Sequence, residues 1–216
     1  MFEFINAKYK DIVDIPQLTI NEGLTVLLGP SGSGKTTVIR MLNKMISPTE
    51  GTILFYGTDL KEVKSVEHRR NVMTLMQSPA MFEGTIRENL TIPFRFQEKE
   101  LPDDQTLRGV LENVQLDKNL DTPVHQLSGG EKQRVALGRV ILCNPTVYLL
   151  DEPSSALDDA TEDVIINLVA SHVKTDHKSA VMVTHSKAVA EKYADEIIEM
   201  AGGRITGRRT LNERDY

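Results

Sequence analysis

Residues 24–36 read Leu24-Thr25-Val26-Leu27-Leu28-Gly29-Pro30-Ser31-Gly32-Ser33-Gly34-Lys35-Thr36. The loop after the apolar run matches G-x-x-x-x-G-K-[ST] at every fixed position, and the residues after it favour a helix. In that context successive loop N–H groups turn inward around phosphates, and the helix N-terminus adds its partial positive charge. The stretch therefore predicts a nucleotide-binding phosphate loop at the end of a strand in an α/β fold.

Each part of this loop has an expected role toward a nucleotide. Lys35 should reach the β- and γ-phosphates and take part in catalysis, and the Thr36 hydroxyl should bind Mg²⁺. The residues expected to contact the nucleotide are Gly29, Pro30, Ser31, Gly32, Ser33, Gly34, Lys35, Thr36 and Thr37. A turn that only joins a strand to a helix is the alternative, but it gives no reason for a lysine here. The loop alone leaves kinases, GTPases, helicases and transporters open.

Short apolar runs alternate with helical patterns along the chain, which indicates a parallel sheet covered by helices. The runs predicted as strands are Leu24–Leu28, Val147–Leu150 and Ala180–Thr184, and the helices that follow them are Thr36–Met45, Ala160–Val173 and Lys187–Ala194. The runs predicted as antiparallel strands at one edge are Phe2–Tyr9, Gln17–Ile20 and Thr52–Tyr56. The expected core is therefore a mixed sheet.

The strand signal fades between about residues 79 and 143, where stretches such as Asp104–Asn113 and Glu131–Leu142 favour helix. We therefore expect one domain over residues 1–216. Its core would be residues 1–78 and 144–216, and its helical subdomain about residues 79–143. The sequence has no internal repeat, so one nucleotide site per chain is expected. The charged stretch Gly207–Tyr216 is expected to fray.

Composition and charge argue against several classes of protein. The 216 residues carry 25 basic and 31 acidic side chains, a formal net charge of −6, so no positive field favours nucleic acid as a partner. The single cysteine, Cys143, cannot form an internal disulfide and is expected to be a buried small side chain at a helix end. The apolar runs are about five residues long, far below the roughly 20 that span a bilayer. A role at a membrane would depend on another chain.

Two adjacent carboxylates, Asp151 and Glu152, follow the apolar run that begins at Val147. Open α/β sheets bind their ligands at the carboxyl ends of the strands, where this pair is expected. Asp151 is a candidate to hold Mg²⁺, and Glu152 is a candidate base that orients and deprotonates the attacking water. Adjacent acids at a strand end are often only solvated. Beside a phosphate loop, however, the second acid favours hydrolysis over transfer to another substrate.

A second anion-binding feature is predicted at residues 127–134, which read Leu127-Ser128-Gly129-Gly130-Glu131-Lys132-Gln133-Arg134. Ser128 and Glu131 have the spacing of a capping box, so a helix should begin here with two glycines beside its N-terminus. From these residues alone, a well-capped helix without a ligand is an equal alternative.

This segment resembles the signature sequence of ABC ATPases, and with the two motifs above it identifies that family. The resemblance covers roughly residues 2–200 and implies a P-loop NTPase (RecA-like) core with an antiparallel β edge and a helical insertion. It further implies ATP hydrolysis with Mg²⁺ in a head-to-tail homodimer. In that dimer Ser128, Gly129 and Gly130 would contact the ATP held by the other subunit.

Further positions fit the family pattern. By this resemblance Gln77 contacts Mg²⁺ and the attacking water, His185 hydrogen-bonds the γ-phosphate, and residues 154–158 resemble the D-loop that links the two sites. A solvated amide is the alternative for Gln77. The histidines expected to be structural or solvated are His68, His125, His172 and His177.

The adenine base should stack on an aromatic side chain ahead of the loop. Tyr9 is the choice by its place in the first strand region. Phe2 and Phe4 compete with it for this role. For Tyr9 itself, a place in the core is an equal alternative.

The resemblance also implies a separate membrane permease, and hence a peripheral location at the cytoplasmic face of the cell membrane. Met81 and Phe82 are candidates to contact it, although a buried core pair is an equal alternative. Residues 46–52 and 78–94 are similar to those of small bacterial ATPases of proposed iron-export systems, but the cargo is not encoded in this chain. A soluble ABC-type ATPase that is not coupled to transport is the alternative function.

Overall fold

The computed structural model describes residues 1–154 and 159–211. Its strands are β1 (Phe2–Tyr9), β2 (Val13–Ile20), β3 (Leu24–Leu28), β4 (Glu50–Phe55), β5 (Thr58–Asp59), β6 (Val72–Leu75), β7 (Val147–Asp151), β8 (Ser179–Thr184), β9 (Glu196–Ala201) and β10 (Arg204–Thr210). Its helices are α1 (Lys35–Leu42), α2 (Ser65–Asn71), α3 (Ile86–Phe96), α4 (Asp104–Asn113), α5 (Gly129–Cys143), α6 (Asp159–Thr175) and α7 (Lys187–Tyr193).

Six strands form the main sheet in the order β10-β9-β3-β8-β7-β6. Strands β9, β3, β8, β7 and β6 run parallel, whereas β10 pairs antiparallel with β9. Every residue of the central strands β3, β8 and β7 is buried, which is why these strands are nearly continuous apolar runs in the sequence. Because the carboxyl ends of parallel strands share one edge, the segments after β3, β6, β7 and β8 meet there.

The N-terminal antiparallel strands form a second sheet, in the order β2-β1-β4-β5. The predicted antiparallel region is therefore present. It is hydrogen-bonded into a sheet of its own and does not extend the edge of the main sheet. Side chains of β1 and β2, among them Phe4 and Ile15, pack with Val38 and Ile39 of α1 and with Leu27 of β3 in one core cluster. Helix α1 thus lies in the core that the two sheets share.

The opposite face of the main sheet is covered by helices. Leu24, Val26 and Leu28 belong to a second core cluster on that face, because alternate residues of a strand point to opposite sides. Side chains of α3, α4 and α5 join the same cluster. The predicted helices of the 79–143 region are therefore present, and they share a core with the sheet. The boundaries of a helical subdomain at 79 and 143 stay a prediction.

Several segments differ from their predicted bounds. Strand β2 begins at Val13, four residues before the predicted start at Gln17. Helix α1 ends at Leu42, three residues before the predicted end. Gly207–Thr210 does not fray, because it belongs to β10, whose Arg208 pairs with the buried Glu196 of β9. Residues 212–216 lie outside the described residues. Within the part of the chain that the structure describes, no helix has the length and apolar character needed to cross a membrane.

Candidate nucleotide site

The phosphate loop connects β3 to α1 and is organised around the buried ammonium group of Lys35. Its Nζ donates to the carbonyl oxygens of Gly29 (2.7 Å) and Pro30 (2.8 Å), and it lies 3.4 Å from Ser33 Oγ. Only 5% of Lys35 is exposed, and burial lowers the pKa of its ammonium group. A buried cation held mainly by loop oxygens can exchange these acceptors for phosphate oxygens, as the sequence predicts.

Two glycines of the loop are required by its shape. Gly34 precedes α1 with φ of +98°, a left-handed conformation that side chains other than glycine rarely adopt. A Cβ atom at Gly29 would lie 2.1 Å from the carbonyl oxygen of Met200 in β9. The loop therefore packs closely against the neighbouring strand, and the first N–H groups of α1 remain available to an anion.

A hydroxyl and a buried carboxylate meet beside the loop. Thr36 Oγ1 donates to Asp151 Oδ1 at 3.1 Å, although the two residues are far apart in sequence. Asp151 is 2% exposed, and burial raises the pKa of its carboxyl group, with the Thr36 hydrogen bond acting in the opposite direction. A buried acid next to a hydroxyl oxygen is a donor set that suits a hard cation such as Mg²⁺. The residues present therefore fit the metal ion that the sequence predicts.

Glu152 is the hub of the hydrogen bonds at the mouth of the loop. Its Oε2 accepts from Gln77 Nε2 at 2.8 Å, and its Oε1 is in contact with His185 Nε2. The backbone of Glu152 has φ of +50° and is held by an N–H bond to the carbonyl of Val183 (3.0 Å). A left-handed conformation costs a residue with a side chain about 1–2 kcal/mol, and such strain is concentrated at functional sites. Three residues from three different strand ends thus meet at one edge of the sheet, and their catalytic roles stay a prediction.

Most of these groups line one cleft of about 290 Å³, although Asp151 is not among its lining residues. The lining residues are Ile12, Ser31, Gly32, Ser33, Gly34, Lys35, Thr36, Thr37, Gln77, Glu152 and His185. Gly29 and Pro30 line another cavity of about 380 Å³, whose lining also includes His185. Within the described residues no group of three or more His, Cys, Asp or Glu side chains could hold a metal ion. A cation here would therefore rely on hydroxyl, amide and phosphate oxygens besides the carboxylates.

Ser128 begins α5 with the predicted capping box. Its Oγ accepts from the Glu131 N–H at 3.3 Å, and its own N–H donates to Glu131 Oε2 at 2.8 Å. Ser128 and Gly129 are exposed and Gly130 is half-buried, and none of the three is among the residues that line the cleft. Within one chain, the structure therefore does not bring this second predicted anion-binding surface to the phosphate loop.

The aromatic side chains ahead of the loop have different environments. Phe2 and Phe4 are at most 1% exposed and belong to the core, so neither is available to stack on a base. Tyr9 is partly exposed, but it packs against the same core cluster and is not among the residues that line the cleft. Its role toward adenine stays a prediction. Ile12, 46% exposed in the turn between β1 and β2, does line the cleft, and sequence reasoning missed it because no motif marks a hairpin turn.

The remaining sequence interpretations have varied outcomes. Residues 154–158 are interpreted as a D-loop, and residues 155–158 of this segment lie outside the described residues. Ser154 is described, and its hydroxyl bonds to Glu162 of α6. The structural assignment of His68 is supported, because its buried ring bonds to the Leu42 carbonyl at 2.7 Å. Cys143 ends α5 half-buried, and burial raises the pKa of its thiol to about 11.

The candidate contacts for a partner protein lie in the segment between β6 and α3. Phe82 is 40% exposed, and its ring meets Phe96, itself 72% exposed, edge to face at 6.2 Å. The Arg139 guanidinium lies 5.7 Å from the centre of the Phe82 ring, whereas Met81 packs against the helical core cluster. Phe82 therefore offers an apolar surface, and Met81 is closer to the core alternative.

Comparison with known proteins places this geometry in a family. The model of the family described as "ABC transporter" matches residues 13–155. Protein STAR1 of Oryza sativa subsp. japonica is 36% identical over 201 residues, which are 92% of this chain and 58% of that protein. "Probable iron export ATP-binding protein FetA" of Escherichia coli (strain K12) is 35% identical over 176 residues, 81% of this chain and 77% of that protein.

A solved structure supports the same assignment. It is a dimeric ATP-binding cassette in a post-hydrolysis state with ADP and Pi bound, 26% identical to this chain. The TM-score is 0.87, and the match covers 99% of this chain and 100% of the solved one. Together with the phosphate loop, the carboxylate pair after β7 and the capped glycine turn of α5, these matches show that the chain belongs to the ABC transporter family and is an ATPase.

Proposed function

We propose that this ATPase drives transport through a separate membrane permease, and that it acts as a head-to-tail homodimer that closes over ATP. The observation that carries the proposal is the arrangement at Glu152, whose carboxylate is bonded by both Gln77 and His185 beside the phosphate loop. Those bonds hold a carboxylate beside the phosphate loop, which supports the role proposed for Glu152 as the base for the water that attacks the γ-phosphate.

In the proposed reaction, different residues bind the phosphates, accept the proton and orient the water. Lys35 and the N–H groups of the loop hold the β- and γ-phosphates and neutralise charge that develops as the bridging P–O bond breaks. Glu152 takes a proton from the water whose oxygen attacks the γ-phosphorus. Gln77 and His185 orient that water and the carboxylate. Orientation of this kind contributes several kcal/mol, because the reacting groups no longer have to be ordered in the transition state.

Thr36, Asp151 and Gln77 are the residues that would hold Mg²⁺. When bound, the ion neutralises charge on the phosphates. The contribution of this chain is to keep the carboxylate of Asp151 buried and aligned by the Thr36 hydroxyl.

The dimer follows from the separation of two features. Ser128, Gly129 and Gly130 expose hydrogen-bond donors at a helix N-terminus, away from the cleft of their own chain. In a head-to-tail pair they can contact the ATP bound by the other copy. The dimeric state of the solved relative with ADP and Pi supports this arrangement. The two ATP molecules would then lie between the two subunits.

The membrane partner is inferred from the family and from Phe82. A chain of this family would act from the cytoplasmic face of the membrane, bound to a permease. We take iron as the transported cargo and export as the direction of transport, and the support for both is the name of the FetA relative. A soluble ABC-type ATPase that is not coupled to transport is the second candidate. The exposed Phe82 and Phe96 favour the transporter, because solvent-exposed aromatic pairs are typical of interaction sites.

Co-purification tests the transporter proposal. The tagged wild-type chain, isolated from native membranes in mild detergent, should retain an integral protein with several membrane spans. Phe82→Ser should lose it, whereas Val66→Ser, which removes a 59% exposed apolar side chain elsewhere, should keep it. Equal recovery by both variants would contradict the assignment of Phe82. The absence of any membrane protein from all samples, with ATPase activity intact, would favour the soluble alternative.

A further inference from the structure

The capping box of α5 holds the Ser128 hydroxyl at the helix N-terminus. Its oxygen already accepts from the Glu131 N–H (3.3 Å), so one lone pair is used inside the box. The hydroxyl is also a donor, and its bond to the Glu131 carboxylate helps to lower the pKa of that group. Ser128 can therefore donate to an acceptor in front of the helix only if its hydroxyl turns away from the Glu131 carboxylate.

The same box puts a negative charge in the first turn of α5. Glu131 Oε2 accepts from the Ser128 N–H (2.8 Å), and this bond, followed by that of Lys118, lowers the pKa of the Glu131 carboxyl group. A carboxylate there is favourable for an isolated helix because it opposes the helix dipole. It is unfavourable when the ligand is itself an anion, because two negative charges then share the helix N-terminus.

Lys118 is placed to remove this conflict. Its Nζ lies 3.1 Å from Glu131 Oε1, on the carboxylate oxygen that does not accept from Ser128. Among the described residues it is the one basic side chain that pairs with Glu131. The turn that carries Lys118 is fixed between Leu116, 3% exposed, and Leu120, which is fully buried. The backbone N–H of Lys118 donates to the carbonyl oxygen of Leu116 at 3.0 Å.

We propose that Lys118 is a positioning residue for ATP recognition in trans: by pairing with Glu131, it neutralises the carboxylate of the capping box and lets Ser128 face the triphosphate of the other subunit. The inference rests on the proposed dimer. It assigns a role in ATP recognition to a residue outside the signature segment. It also explains how the N-terminus of α5 can bind an anion although Glu131 lies in its first turn. Lys118 acts through Glu131 and does not itself touch the nucleotide.

The test measures ATP-dependent dimerisation in the Glu152→Gln background, by sedimentation of the full chain. Lys118→Met should raise the dimer dissociation constant about five- to twentyfold, because each dimer contains two such helix ends and each is affected severalfold. Arg108→Met is the matched control: Arg108 lines the same surface groove as Lys118, and its loss changes the net charge equally. It should leave the constant within about twofold of the parent.

The Glu131→Gln background separates positioning from general stability. Glutamine keeps the capping box without the charge, so Lys118→Met should there change the dimer constant by less than about twofold. An equal loss in both backgrounds, or no loss in either, would overturn the inference about Lys118. If Ser128→Arg abolishes dimers in the same experiment, the proposed dimer stands even though the inference fails. If Ser128→Arg leaves the dimer intact, the trans arrangement fails, and this inference fails with it. ATP binding by the dilute monomer should be unchanged by Lys118→Met, and a loss there would also count against the positioning role.

Discussion

The phosphate-loop cleft and the N-terminus of α5 are both built to receive anions, but only the cleft is complete within one chain. In the cleft, Lys35 is held by loop oxygens, Thr36 is bonded to Asp151, and Glu152 is bonded by two side chains. At α5 the serine and glycines face outward, and their hydrogen bonds within the described structure serve only to cap the helix. In the proposed dimer, catalytic groups and recognition groups are divided between the two copies.

This division has a physical advantage. A cleft that already contains its base and its cation ligands could hydrolyse ATP without control if it also contained every group that recognises the γ-phosphate. Placing donors on another subunit makes the complete site depend on association. Changes in the cleft of one chain should therefore have the largest effect, changes in the divided site a smaller one, and changes at the periphery of the cleft the smallest.

The largest expected effect is that of Glu152→Gln. The amide keeps the shape of the side chain but cannot take a proton from water, so the rate of phosphate release should fall about 10²- to 10⁴-fold. ATP binding should persist, because the loop and Lys35 are unchanged. Sedimentation with ATP and Mg²⁺ should therefore show a lasting dimer. Single-turnover phosphate release and sedimentation together measure both effects.

Glu62→Gln is the control for that change. Glu62 is exposed and is not among the cleft-lining residues, so its variant should turn over ATP at the parental rate. An unchanged rate in Glu152→Gln would show that the base is another group, and the hub at Glu152 would then be structural.

A mixture of two inactive variants tests the division directly. Lys35→Ala disables the loop of its own chain, and Ser128→Arg blocks the loop of the neighbouring chain. In a mixed dimer one site has both faults and the other has neither. Each heterodimer keeps one intact site of two, so activity should return when equal amounts are combined, at about half of the parental activity per heterodimer if the sites work separately.

No activity in the mixture, with heterodimers demonstrated by two tags, would mean that both sites must be intact for turnover. Full activity of Ser128→Arg alone would instead show that α5 has no part in the reaction. The comparison between the two regions would then reduce to one active cleft and one ordinary capped helix.

Much of the cleft could be predicted because its groups lie at strand ends with strong local signals. The apolar run of β3 fixes where Lys35 falls, and the run of β7 does the same for Asp151 and Glu152. Parallel strands then bring these ends to one edge whatever their distance in sequence. The helix beginning at Gly129 was equally predictable, because its capping box has a recognisable spacing.

The features that were missed depend on contacts between distant segments, and no sequence motif marks such contacts. The N-terminal strands could be predicted as antiparallel, but nothing in the local sequence indicates that they pair only with each other and form a separate sheet. The cleft contact of Ile12 arises because the β1–β2 hairpin reaches the loop, where a Cβ on Gly34 would lie 3.0 Å from Val13. The salt bridge between Lys118 and Glu131 likewise joins segments that no motif connects.

The smallest expected effect lies at the periphery of the cleft. If Tyr9 stacks on the adenine base, Tyr9→Ala should raise KM for ATP by about 5- to 150-fold, since base–aromatic stacking contributes about 1–3 kcal/mol. The rate constant kcat should be nearly unchanged, because the base is far from the bond that breaks. Tyr9→Phe should behave as the parent, since the hydroxyl group has no part in stacking. Steady-state kinetics over a range of ATP concentrations measure both constants.

Ile12→Ala distinguishes stacking from simple enclosure of the nucleotide. Ile12 lines the cleft and Tyr9 does not, so a rise in KM confined to Ile12→Ala would transfer the base-facing role to the hairpin turn. A rise confined to Tyr9→Ala requires the Tyr9 side chain to leave its packing against the core cluster, or the base to extend beyond the cleft toward it. The melting temperature of Tyr9→Ala decides between these two possibilities. If the ring is packed against the core in solution, its removal should lower the melting temperature by several degrees. If the ring is already detached from the core, its removal should leave the melting temperature nearly unchanged.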